Sequence, residues 1–179
     1  MSYRAIQMAF LVAVASILFT LESLIPSPIP WIRLGLANVV TLLALKWWGM
    51  KEALIVLIMR VILGSLLSGK FLSPVFLIAI SGGIASTLVM GMGLRLGERV
   101  MSLIGISIMG AVAKNVIQIL VTYFIYIRQV YILYLFPIFL FSSLITGTLI
   151  GIFAYLIHQK VNLSFSPQKN NFQIPSDLV

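Results

Sequence analysis

The run from Ile104 to Ile127 constrains this chain most: it is long enough to cross a bilayer, yet it carries Lys114, Asn115 and Gln118 near its middle. A helical span needs about 20 predominantly apolar residues. In a helix Lys114 and Gln118 stand one turn apart, and Gly110 and Thr122 extend the same line, so one face bears a polar stripe. Lipid cannot satisfy that stripe. An ammonium at the bilayer centre costs about 2.5–3.5 kcal/mol on insertion scales, so such groups face protein or a watery cavity. Two uses fit: a binding site, or hydrogen bonds that hold neighbouring helices together.

The rest of the chain supplies those neighbours. Apolar runs cover Ala5 to Leu21, Leu34 to Trp48, Ala53 to Leu67, Pro74 to Leu94, Ile104 to Ile127 and Tyr131 to Ile157, which predicts an all-α polytopic membrane protein with six transmembrane helices. Of the 179 residues, 61% are hydrophobic and only 9% charged, a mixture that a soluble domain of this size could not bury. The second and third runs are short for a span. Ala13-Val14-Ala15 imitates a signal-peptidase site, but the apolar run continues to Leu21, so an uncleaved first span is expected. Residues 1–158 form the expected six-helix domain. Residues 159–179 are polar, contain Pro167 and Pro175, and read as a disordered cytoplasmic tail.

Orientation follows from the bases. With the N-terminus inside, Arg4, Lys46, Lys51, Arg95, Arg99, Lys160 and Lys169 fall on the cytoplasmic side and Arg33, Lys70 and Arg128 on the other, as the positive-inside rule requires. Both termini are then cytoplasmic, in a multi-pass protein of the cell membrane. Trp47 and Trp48 mark the inner interface, and Trp31 the outer. The net charge of +8 suits this topology and an anionic ligand or lipid; no cluster of bases interleaved with aromatics suggests nucleic acid.

Several polar residues share the depth of Lys114 or lie above it. The stretch from Glu22 to Arg33 holds Pro26, Pro28 and Pro30 and reads as a stiff outer loop, either a connector or a cap over a cavity. Asn38 and Thr41 share a face of the second helix with Ala37 and Ala44. Arg60 is a second deep charge, whose planar fork suits a carboxylate or phosphate, or else an internal partner. Lys70 lies just before Pro74. Glu22, Arg33, Asn38, Arg60, Lys70, Lys114, Asn115 and Gln118 are therefore the candidate substrate contacts, a funnel open outward that fits a small anionic or polar solute. Small residues in the fourth and sixth helices, Gly82-Gly83 and Gly147/Gly151 among them, suit close helix packing, with the double glycine also able to admit a ligand to the backbone.

Catalytic parts are missing. Asp177 is the sole Asp, so no paired aspartates can hold magnesium for diphosphate chemistry. No phosphate-binding loop ending in Lys-Ser or Lys-Thr is present, so energy for transport has to come from partner ATPases. No cofactor or metal site is read: there is no Cys, and His158 stands without a second ligand.

The segments Leu21-Glu22-Ser23-Leu24-Ile25-Pro26, Arg33-Leu34-Gly35-Leu36-Ala37-Asn38, Arg60-Val61-Ile62-Leu63-Gly64-Ser65 and Gly110-Ala111-Val112-Ala113-Lys114-Asn115, in this order, resemble the membrane family labelled heptaprenyl diphosphate synthase component I, also called the Gx transporter family. Relatives often read His-Asn where this chain reads Lys114-Asn115, a departure that adds a charge. That family is similar in turn to the substrate-binding S components of energy-coupling-factor (ECF) transporters. The resemblance implies six helices with both ends cytoplasmic, a ligand pocket under the loop after helix one, and a partner transmembrane subunit docked on small residues of that helix. Ala5, Ala9 and Ala13 recur at the required spacing, which ordinary internal packing would also explain. The family label implies instead a non-catalytic membrane subunit in the making of the heptaprenyl tail of menaquinone.

Overall fold

Helix two organises the molecule. In the computed structural model, which describes residues 3–24, 35–96, 101–126, 134 and 136–165, α2 runs Leu36–Trp48 and buries every side chain from Ala37 to Leu45. A helix apolar all round must be enclosed. It packs against α1 (Tyr3–Leu24), α3 (Met50–Leu67), α4 (Pro74–Arg95) and α6 (Phe136–Phe165), while α5 (Leu103–Val121) lies between α4 and α6. At 13 residues α2 is about 20 Å long, well short of a hydrocarbon core of about 30 Å. Its protein neighbours, not lipid, meet its backbone ends.

The described residues are all-α and form six α-helices, as the apolar runs predict. Among them four helices are long and apolar enough to cross a membrane: Ala5–Ser23, Pro74–Arg95, Leu103–Ile125 and Phe136–Val161. Large side chains such as Phe10, Leu67, Phe124 and Phe141 stand outward, each more than 60% exposed, a surface that lipid covers and water would not. Serine and threonine hydroxyls inside the helices donate to the carbonyl four residues back, as in Ser16 to Val12 (2.7 Å), Thr87 to Gly83 (3.0 Å) and Thr122 to Gln118 (2.7 Å), and so need no partner from the bilayer.

Several boundaries differ from expectation. Helix α1 extends to Leu24, so Glu22 sits in its last turn and not in the following loop. Pro26 lacks an N–H and disfavours helical geometry in the residue before it, which stops a helix there but leaves it free to run to Leu24. Helix α3 begins at Met50 because Gly49, at φ 101°, makes the reversal from α2 in a single residue. Helix α5 ends in one π-helical turn, Thr122–Tyr126. Helix α6 continues to Phe165, past the expected boundary at 158; the remaining tail residues lie outside the described ones.

Glycines set the helix spacing on the far side. A Cβ at Gly147 or Gly151 would come within 2.7 Å of the Cα of Ile108 or Ile104, so α5 and α6 touch backbone to backbone. At Gly82 it would meet Gln118 Cγ at 2.7 Å, and at Gly83 Leu57 Cδ1 at 2.7 Å. Both glycines thus allow close packing, and Gly83 also lines a cavity. At the opposite end of α2 from Gly35, the Trp47 indole Nε1 donates to His158 Nδ1 over 3.0 Å and ties α2 to α6.

Candidate functional site

At the Gly35 end of α2 a small cavity opens among α1 to α5, lined by Phe19, Glu22, Gly35, Ala37, Asn38, Arg60, Val61, Val75, Ile78, Ala79, Gly83, Lys114 and Gln118. Its volume is about 30 Å³. Five of the eight candidate contacts meet here, one or two from each of four helices. Three of them carry formal charge: the bases Arg60 and Lys114 and the carboxylate of Glu22.

Each charged group is positioned by a local feature of the chain. Glu22, 7% exposed, accepts from the backbone N–H of Leu36, the first residue of α2, and so both caps that helix and suits its positive end. Gly35 precedes it at φ 76°, and a Cβ there would sit 3.5 Å from Lys114 Nζ and 3.2 Å from Ile150 Cδ1. Only glycine adopts this turn without strain, and a Cβ would also press on Ile150. Arg60 is 4% exposed and donates through Nη2 to Asn38 Oδ1, joining α3 to α2. Among the described residues, Arg60 Nε and Gln118 Oε1 are buried polar atoms without a hydrogen-bond partner.

The other candidates go elsewhere. Asn115 donates to Phe139 O (3.0 Å) and Ser143 Oγ (2.8 Å), so it fastens α5 to α6 and does not line the cavity. Lys70 Nζ donates to Ser23 O over 3.1 Å, a cation on the carbonyl end of α1. Arg33 lies outside the described residues, as does the proline stretch that could cap the cavity. Ala5, Ala9 and Ala13 all face outward on α1, exposed, and none packs inside this chain. The apolar lining of Phe19, Val61, Val75, Ile78 and Ala79 carries no sequence signal, because side chains facing a cavity and side chains facing lipid are of the same kind.

A second concavity differs in character. It is a groove of about 890 Å³ between α1, α2 and α6, lined by apolar side chains such as Phe10, Val40 and Phe153, with Gln7 and the Trp47 indole as its polar exceptions. It suits a hydrocarbon chain or a partner helix, not a polar solute.

The short, buried second helix and the polar cavity at its Gly35 end define, among the described residues, a six-helix membrane bundle of the S-component fold. The chain is similar to a solved structure described as the S component of a bacterial ECF transporter, with a TM-score of 0.70 and 21% identity over 90% of this chain and 96% of that one. The chain belongs to the family named heptaprenyl diphosphate synthase component I, whose sequence pattern matches residues 11–157. No curated protein matches it.

Proposed function

We propose that this chain is the substrate-binding membrane component of a transporter, taking a small polar or anionic solute into the cavity between Arg60, Asn38, Lys114, Gln118 and Glu22. The observation that carries the reading is the cavity itself: two bases from different helices, with one carboxylate, converge in an apolar bundle where an unoccupied polar site is costly. Its S-component fold and the absence of an Asp-rich motif in the sequence support a binder over a catalyst. Arg33 and Lys70 would guide an anion toward the entrance, and Asn115, bonded to α6, would stay outside the site.

Partner subunits supply the energy in this reading, and the outward ridge of Ala5, Ala9 and Ala13 is where a transmembrane partner docks, since small residues let helices approach closely. The chain sits in the cell membrane with both termini cytoplasmic. Purification of the tagged protein from its own cells in mild detergent tests the reading: a membrane subunit and ATPases should come with it, and Ala9→Trp should lose them while the protein still folds. The family name favours a second reading, a non-catalytic membrane subunit of heptaprenyl diphosphate or menaquinone synthesis. Recovery of a soluble prenyl synthase in place of ATPases would establish that reading and overturn the first.

A further inference from the structure

Two side chains of the cavity wall each hold a buried polar atom without a partner, and the two atoms have opposite polarity. Arg60 Nε is a donor and Gln118 Oε1 an acceptor; both residues are 4% exposed and both line the same void. A buried donor or acceptor left unmade is costly, and the chain carries both penalties at one place. An occupant that offered only acceptors, such as a simple carboxylate or a bare diphosphate, would relieve Arg60 and leave Gln118 unsatisfied. The formal charges lining the void are those of Arg60, Lys114 and Glu22, which sum to +1, matching a monoanion.

We propose that the solute is a compact monoanionic oxyacid that also carries an O–H or N–H donor, its anionic oxygen meeting Arg60 Nε and its donor meeting Gln118 Oε1. This rests on the reading of the cavity as a solute site and adds to it the chemical class. Asn38 already occupies Arg60 Nη2, so the guanidinium is held with its Nε edge left over. Gln118 passes Gly82 of α4 with its Cγ and Cδ, and its amide turns about a soft terminal torsion, which lets Oε1 swing toward the void. At about 30 Å³ the void has room for a water or two, so a solute of several heavy atoms enters as these side chains turn aside. A long prenyl chain does not fit there.

The test uses glycolate and acetate, which share a carboxylate and differ by one hydroxyl donor. Thermal unfolding of the purified protein is followed in detergent over a concentration series of each, with ethylene glycol as the uncharged control. Glycolate should stabilise at a concentration at least about tenfold below that of acetate, the factor that about 1.4 kcal/mol represents, and ethylene glycol should do nothing. In Gln118→Met the two acids should act alike. Equal effects of glycolate and acetate in the unaltered protein, a preference that survives Gln118→Met, a stronger effect of ethylene glycol, or no effect of glycolate would each overturn the proposal. The acid ratio in the unaltered protein stands by itself if Gln118→Met fails to fold. Should glycolate fail while the protein still releases a solute of its own that Lys114→Met loses, the solute site stands and only its assigned class falls.

Discussion

Asn115 and Gln118 show how two similar residues on one helix part company. They are three positions apart, about 60° around the helix, and in the sequence each reads as a polar group at membrane depth. Asn115 meets α6 and Gln118 meets α4 and the cavity, a distinction set by which helices flank α5 and therefore invisible along the chain. Their variants should separate accordingly. Asn115→Leu should lower stability by about 0.5–1.7 kcal/mol, the range for interhelical hydrogen bonds in membranes, and leave solute binding unchanged; chemical unfolding in mixed micelles beside a binding assay checks both. Gly35→Ala puts a Cβ on a residue at φ 76° and against Ile150, and should cost about 1–3 kcal/mol through backbone strain. Arg60 and Lys114 were legible as deep charges because nothing else in an apolar helix resembles them. Partners were not: Asn38 became Arg60's only once α2 and α3 had packed.

At the scale of elements, existence and order were readable and ends were not. Each of the six apolar runs became a helix, since hydrophobic length is a strong signal in a chain that lipid surrounds. The ends depended on single residues: Gly49 let α3 start early, and α1 kept a turn beyond the expected loop, carrying Glu22 into the cavity wall. The α5–α6 seam is the clearest element-level expectation met, with Gly147 and Gly151 against backbone. Gly151→Val places branched carbons where 2.7 Å separates a Cβ from Ile104 Cα, and overpacking of this kind costs about 1–3 kcal/mol. A drop in the unfolding temperature with loss of folded yield is expected; wild-type behaviour would mean that the two helices are farther apart.

For the molecule as a whole, the sequence shows least which residues face one another. The cavity lies at the Gly35 end of α2 and the Trp47–His158 tie at the other, and the distribution of bases predicts that the cavity end faces outward. The chain contains no Cys, which makes single-cysteine labelling clean. Cysteines introduced at Ser2 and Val179 should resist a membrane-impermeant thiol reagent in intact cells and react after permeabilisation; labelling of either in intact cells would reverse the orientation. Holding a solute, and not only joining helices, is the role proposed for Arg60, Lys114 and Gln118 in the apolar bundle. Native mass spectrometry of protein gently extracted from its own membrane tests it most directly, with the released small molecule identified and Lys114→Met run beside the unaltered chain. One small polar or anionic molecule per unaltered chain is expected, absent from a Lys114→Met protein that extracts and melts normally. Equal occupancy in both, or an unaltered protein that releases nothing and carries a soluble prenyl synthase instead, would contradict it.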